Sequence, residues 1–419
     1  VAFSFSDSTK DFKERMMQKF TGMQYLKMDI ASSYGLDKAK WEERLDWFAE
    51  HEDHLHEMLA TAETPALYYA GVKAYEKAVQ GIPCGYPISL DATSSGLQLL
   101  AALTGDRRAA EICNVVNRWV QSVAERADAY TIIYGYMLDV VGEGAKIKRD
   151  DCKQAIMTSL YGSEREPREI FGEGPLLSAF YHVMAGAAPA AWELNQFFLK
   201  LWDAEALVNS WVLPDNFHVH VKVMTKVQET VHFLNEPIDT FREVNQAKES
   251  GRSLGANTIH SIDGMIVREM GRRCNYSPAV IERVKKALMG EGLSLGSDED
   301  DEMVMKLWKH YKDSGYLSAR ILDHLHPDNV DLVGYAEIRE LIDSLPAKPF
   351  EVIAIHDCFR CLPNYGNDLR EQYNRQLMLI AKSDLLSFVI GQHMGQSVAI
   401  PKLDPTMWQD IMSAEYALS

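Results

Sequence analysis

Ile88-Ser-Leu-Asp91-Ala-Thr-Ser-Ser95-Gly96-Leu-Gln98 and Val352-Ile-Ala-Ile-His-Asp357 each carry a short apolar run of strand type that closes on an aspartate. Two such strands can lie side by side in one sheet and bring both carboxylates to the same edge. Taken singly, each aspartate reads more readily as a turn cap. The segment between them decides the reading: Arg149-x-x-x-Lys153-x-x-x-Met157-Thr158-x-x-Tyr161-Gly162. A spacing of four puts Arg149, Lys153, Met157 and Tyr161 on a slowly drifting stripe along one side of a helix.

The chemistry follows from residue type. Two carboxylates at one sheet edge can hold a pair of divalent metals roughly 3.5–4 Å apart. Arg149 and Lys153 would stand about 6 Å apart along the helix axis, with Tyr161 about 12 Å beyond Lys153. Arg grips phosphate as a planar fork and Lys as a point charge, so a nucleoside triphosphate fits the two cations, its base or sugar reaching the tyrosine ring. A solvated basic face with Tyr161 in the core is the plainer alternative for the helix alone. Together the carboxylates and cations describe nucleotidyl transfer.

These segments resemble the phage and mitochondrial single-subunit RNA polymerase family. Asp91-x-x-x-Ser95-Gly96-x-Gln98 is similar to its motif A, Arg149 to Gly162 to motif B, and His356-Asp357 to motif C. Asp128-Ala-Tyr130, His260-Ser-Ile-Asp263-Gly264, Gly35-Leu-Asp37-Lys38 and the closing stretch Asp410 to Ser419 resemble further family elements. The resemblance implies an α+β right-hand polymerase, with a small antiparallel palm sheet and mostly helical fingers. It implies two Mg2+ ions on Asp91, Asp357 and the Ala92 carbonyl. Arg149, Lys153 and Lys38 would hold the triphosphate, and Tyr130 would support the nucleotide or primer terminus. Tyr161 and His260 would sense the sugar and the base-pair minor groove. Asp91, Asp357, Lys153 and Tyr161 form the implied catalytic set.

A related DNA polymerase family shares the two aspartates and the Arg/Lys/Tyr helix. It typically carries a glutamate, at the position of Gly96, that blocks a 2′-hydroxyl. Glycine leaves room for that hydroxyl, which favours ribonucleotides. A non-catalytic, polymerase-like accessory subunit is the other alternative, although Asp91, Arg149, Lys153, Tyr161 and Asp357 are all intact. Family members carry an N-terminal promoter-handling domain, a thumb and an Asp-x-x-Gly-Arg element ahead of the matched region. The expectation is therefore the C-terminal polypeptide of a divided, heterodimeric phage polymerase. A more basic second polypeptide would supply those parts, with template DNA, nascent RNA and nucleoside triphosphates as the other partners.

Composition narrows the class. The 419 residues are 47% hydrophobic and 25% charged, ordinary for a globular chain of two or three subdomains. A net charge of −17 argues against coating nucleic acid over the whole surface. A local basic channel through Lys146, Lys148, Arg149, Lys153, Arg165 and Arg168 remains open. No window approaches a membrane span and no secretory leader is visible, so the expected place is the cytoplasm, that of a phage-infected bacterium by the resemblance. Six scattered cysteines suit a reducing compartment, and Cys358-x-x-Cys361 is half of a zinc pattern with no second half.

The expected organisation runs in five parts. Residues 1–120 hold helices and the strand of motif A, with helical periodicity over 10–78. Residues 121–263 form the fingers with a hairpin loop, and 264–274 return to the palm. Residues 275–349 are an insertion of unknown role, marked by the acidic run Ser297 to Glu302. Residues 350–419 hold the motif C strand and closing helices. In detail, helix is expected from about 107 to 138, from 145 to 160 and from 176 to 210. Alternating strands are expected over 216–234, helix from 257, and a buried strand over 350–357.

Overall fold

The computed structural model describes residues 16–121, 123–142, 144–249, 251, 253–293 and 296–419. It is an α+β structure built of many helices and four small antiparallel sheets. Residues 10–15 of the first expected helical stretch lie outside the described residues. Helix begins at α1 (Gly22–Ala31), where Thr21 and Gln24 form a reciprocal cap, each side chain accepting the other's backbone N–H.

The central sheet is set by β1 (Ile88–Asp91), and α2 (Ser95–Thr104) follows it directly. Every residue of α2 after Ser95 is buried, the pattern of a helix enclosed on all sides. A hairpin of β2 (Arg118–Val120) and β3 (Val123–Glu125) leads to α3 (Ala129–Val141) and α4 (Arg149–Leu160). After further helices come two more antiparallel pairs. These are β4 (Val208–Val212) with β5 (His218–Lys222), and β6 (Met224–Phe233) with β7 (Glu236–Asn245). The long helix α5 (Ser253–Cys274) returns to the core. The chain closes through β8 (Ile353–Ile355), β9 (Cys358–Cys361) and α6 (Gly366–Lys382), which packs with α5 and α2.

Strand order in the central sheet is β1-β9-β8, all antiparallel. Ile88 faces Cys361, Asp91 faces Cys358, and Ile355 faces Cys358 from the other side. Opposed residues share a face. Ile88, Leu90, Phe359 and Cys361 therefore point together into the main core, where all are buried. Ser89, Asp91, Cys358, Arg360, Ile353 and Ile355 share the other face. Helices between residues 278 and 343 bury a second, separate apolar cluster around Val284, Val304, Leu325 and Ile338.

Several local expectations need correction. The helix expected over 107–138 is broken: Arg107–Ile112 is helical, then Asn114 and Gln121 adopt left-handed φ of 64° and 49°, and the β2–β3 hairpin intervenes. The helix expected from 145 starts at Arg149. The helices expected over 176–210 are two, parted at Ala188 ahead of Pro189, but the second ends at Lys200 and strand begins at Val208. Helix expected from 257 already begins at Ser253. The run over 350–357 forms strand only at Ile353–Ile355, and all three of those residues are exposed rather than buried.

Candidate active site

Asp357 lies in the two-residue turn joining β8 to β9, and His356 supplies the left-handed φ of 56° such a turn asks of its first position. The Ala92 N–H donates to the Asp357 carbonyl at 3.1 Å, fixing the turn against the end of β1. The two aspartates expected to cooperate thus meet at one edge of the sheet. The segment 417–419 closes the outer edge of β1: Asp91 N–H donates to the Ser419 carbonyl, and Ser419 N–H donates back to Asp91 at 2.9 Å.

Burial raises the Asp91 carboxyl above its usual range, and the neighbouring Asp357 charge adds to this while the Cys358 thiol donates to it. Burial pushes the Cys358 thiol up to about 12, so that group stays protonated. Two carboxylates with no thiolate competitor form an all-oxygen donor pair, the set a hard cation such as Mg2+ takes through one or two protein carboxylates plus substrate phosphates. Among the described residues no group of three or more His, Cys, Asp or Glu forms a metal cage, Cys358 and Cys361 included.

Tyr161 ends α4, and its ring stacks on His260 of α5 with centroids 4.3 Å apart and planes within 3°. A Cβ placed on Gly96 would sit 2.8 Å from the Tyr161 hydroxyl, so glycine lets the ring close over the start of α2. Burial first, then the charges of Asp263 and Asp357, push the Tyr161 hydroxyl up to about 12. Burial lowers His260, favouring the neutral ring. Tyr130, near the start of α3, shares a hydrogen bond with Ser94 at 3.3 Å and lies beneath the Lys153 ammonium, 5.6 Å from the ring centre.

Arg149 is engaged. Its guanidinium pairs with Asp128 and donates to Thr131 at 2.7 Å. Burial alone would raise Asp128, but hydrogen bonds from Thr131 and Arg149 hold it below the usual range. Asp128 also caps α3, accepting from the Tyr130 and Thr131 N–H groups. Lys38 lies at the rim: its side chain is exposed beside Asp37, and its carbonyl accepts from Arg126, which also contacts Ser419. A cavity of about 660 Å³ opens beside Tyr161, lined by Gly162, Ser163, Arg165, Arg168 and Ser253 among others.

Three side chains at the site escaped the sequence reading as individuals. Asp263, one turn beyond His260, is pushed up to about 6 by burial and by the charge of Asp357. Gln98, fully buried, donates to Thr93, the Cys113 carbonyl and the Ala417 carbonyl and accepts from Tyr373, joining four segments behind the carboxylates. Asp29 of α1 accepts the Ser89 N–H and the Tyr86 hydroxyl, holding β1 in place. The His-Ser-x-Asp-Gly and Asp-x-x-x-Ser-Gly-x-Gln patterns were the available signals for the first two. A lone aspartate on an amphipathic helix gives none.

Residues 18–166 match the family model described as DNA-dependent RNA polymerase. A probable DNA-directed RNA polymerase of Neurospora crassa is 29% identical over 174 residues, 36% of this chain and 19% of that protein. One of Gelasinospora sp. is 22% identical over 389 residues, 84% of this chain and 41% of that protein. The DNA-directed RNA polymerase of Pseudomonas phage phiKMV is 24% identical over 186 residues, 36% of this chain and 22% of that protein. The chain spans less than half the length of these relatives. Each of these relatives is named a DNA-directed RNA polymerase, and the family match takes in about a third of this chain. No helix among the described residues is long and apolar enough to cross a membrane.

Proposed function

We propose that this chain carries the catalytic centre of a DNA-directed RNA polymerase and extends RNA on a DNA template by nucleotidyl transfer. The observation that carries the reading is the turn that sets Asp357 against the end of β1, beside Asp91 and in the electrostatic reach of Tyr161 and Tyr130. Two Mg2+ ions held by Asp91, Asp357 and the Ala92 carbonyl would activate the primer hydroxyl and neutralise the leaving pyrophosphate.

The chain's own groups do the rest. Lys153, with Arg149 exchanging Asp128 for phosphate, binds the triphosphate, and Lys38 adds charge at the rim. The Tyr161–His260 stack orients the incoming sugar and base, with Tyr130 below. Gly96 leaves the 2′-hydroxyl unobstructed, which favours RNA over DNA synthesis and sets the DNA polymerase reading second. A second, more basic polypeptide supplies the remaining parts of the enzyme, and the phage relative fits work inside an infected bacterium.

Asp91→Asn and Asp357→Asn remove a ligand charge while keeping side-chain volume. Each is expected to lower nucleotide addition on a preformed RNA–DNA scaffold with Mg2+ by at least about a thousandfold, with an unchanged circular dichroism spectrum. Near-parental extension by either variant would defeat the assignment, and a preference for dNTPs over rNTPs in the parent would transfer it to the DNA polymerase class.

A further inference from the structure

Arg126, the residue after β3, is a partly buried cation to which the surrounding carboxylates are not committed. Its guanidinium makes two hydrogen bonds, both at 3.2 Å and both to neutral acceptors. Nε donates to the Ser419 hydroxyl, and a terminal nitrogen donates to the Lys38 carbonyl. The other guanidinium N–H groups have no acceptor among the described residues. Asp37 and Asp128 act on it through space, but each is engaged by another cation. Lys38 stands 4.0 Å from Asp37, and Arg149 pairs with Asp128. Glu125, its neighbour in sequence, pairs with Lys40 at 2.8 Å.

Two neutral acceptors could be bridged by an uncharged amide, so the tie alone does not call for a guanidinium. A charge taken from water and held by neutral groups costs stability. Burial accordingly holds Arg126 below its usual range. Arg44, buried nearby and likewise held by the Ser32 hydroxyl and the carbonyls of Asp37 and Ala39, adds a second positive charge instead of offsetting the first. Position selects the anion that would meet this charge. Ser419 exchanges backbone hydrogen bonds with Asp91, which ties Arg126 to the end of the strand bearing the first carboxylate. On its other side it holds the backbone of Lys38, and Asp128 stands between it and Arg149. A planar fork with N–H groups to spare matches phosphate oxygens in pairs.

We propose that Arg126 is a further substrate-binding residue, gripping the triphosphate of the incoming nucleotide between Lys38 and Arg149. The identity of that ligand rests on the functional reading given above. Arg149 must exchange Asp128 for phosphate, whereas Arg126 has no carboxylate to give up. Its bonds to Ser419 and Lys38 fix the plane of the guanidinium in advance, so less freedom is lost when phosphate arrives.

The test begins with inorganic tripolyphosphate, titrated calorimetrically into the full chain in Mg2+ buffer with neither scaffold nor nucleotide. Affinity is expected to fall about thirtyfold in Arg126→Gln, and by less in Arg126→Lys, which keeps the charge without the fork. In single-nucleotide addition on a preformed RNA–DNA scaffold, Arg126→Gln should raise KM for the rNTP by about the same factor, with kcat within about threefold and scaffold affinity unchanged. Tripolyphosphate binding that is absent in the parent or equal in Arg126→Gln would overturn the proposal. So would an unchanged KM with a lowered thermal midpoint, the result of a purely structural tie. A loss of scaffold affinity at constant KM would overturn it in favour of the nucleic-acid backbone. Dependence on Asp357 is scored in the same assay: addition that needs Asp357 while KM ignores Arg126 removes this inference alone, and addition indifferent to Asp357 removes the functional reading on which it rests.

Discussion

At Gly96 one absent carbon lets two parts of the site meet. A Cβ there would stand 2.8 Å from the Tyr161 hydroxyl and 3.1 Å from its ring, and that ring is pinned on its other side by His260. Gly96→Ala should improve intrinsic helix propensity by up to about 1 kcal/mol while pushing the ring aside. Stability near the parental value with a roughly tenfold rise in KM for the incoming nucleotide is expected, read from single-nucleotide addition at varied rNTP. An unchanged KM would separate Gly96 from nucleotide placement. Asp29 is the second residue with a measurable signature. Burial pushes its carboxyl up to about 6, against an ordinary 3.8. A raised carboxyl binds its proton more tightly in the folded state, so stability is greatest below the unfolded value and falls as pH rises from about 4 to about 6. The charged form then costs roughly 3 kcal/mol at neutral pH. Asp29→Asn cannot ionise, so it should gain on the parent by that order between pH 4 and pH 7 in urea unfolding. A difference between the two proteins that stays constant with pH would show that Asp29 does not titrate in that window. Asp91 and Asp357 were legible because each closes an apolar run, whereas Asp29 acts through a strand far away in sequence and leaves no local trace.

Elements were legible where local chemistry and burial agree. The helix bearing Arg149, Lys153 and Tyr161 was anticipated within four residues of its start, and β1 at its observed place. The stretch from 113 to 128 was misread as helix because Val115, Val116, Trp119 and Val123 mimic helical spacing. What breaks it is Asn114, whose left-handed backbone is fixed by side-chain hydrogen bonds to both the N–H and the C=O of Ala127. That partner is set by tertiary structure. A comparable long-range knot anchors the strand pair β4–β5. In its turn Asp215, fully buried, pairs with Arg268 and Arg272 of α5, and its carbonyl accepts from Arg320. Asn216 meets His310 at 3.1 Å. Asp215→Ala would leave both arginines without this partner. The cost should be roughly 2–3 kcal/mol, below that of a fully buried pair because the guanidinium groups are about a quarter exposed. Urea unfolding measures the loss, and amide exchange should quicken in the β4–β5 turn and around residue 310 together. Faster exchange at only one of the two would show that the knot does not couple them.

At the scale of the whole molecule, the segment 275–349 enters and leaves at nearly one point. The Phe350 N–H donates to the Cys274 carbonyl at 2.8 Å, and the segment's apolar cluster is separate from the main core. None of the residues placed at the carboxylates, the Tyr161–His260 stack or the cation stripe belongs to it. It nevertheless reaches the main body through Tyr316, whose hydroxyl donates to Gln376 in the main core, through Ser318 and Ala319, which hydrogen-bond Glu269, and through His310 and Arg320, which hold Asn216 and Asp215 of the β4–β5 turn. Glu269 keeps Arg272 and Arg273 without them, and water can replace the lost donors once the face is open. Replacing residues 276–348 by a short Gly/Ser linker should therefore leave a folded body. Its thermal midpoint should fall on the order of 5–10 °C, for the lost burial of Tyr316 and the loosened β4–β5 turn once His310 and Arg320 are gone. Nucleotide addition on a scaffold, measured in the same complex as the parent, should stay within about threefold, since the positions of the reacting groups are set elsewhere. A hundredfold loss in a variant that keeps its circular dichroism spectrum and cooperative unfolding would instead make this segment part of the catalytic machinery.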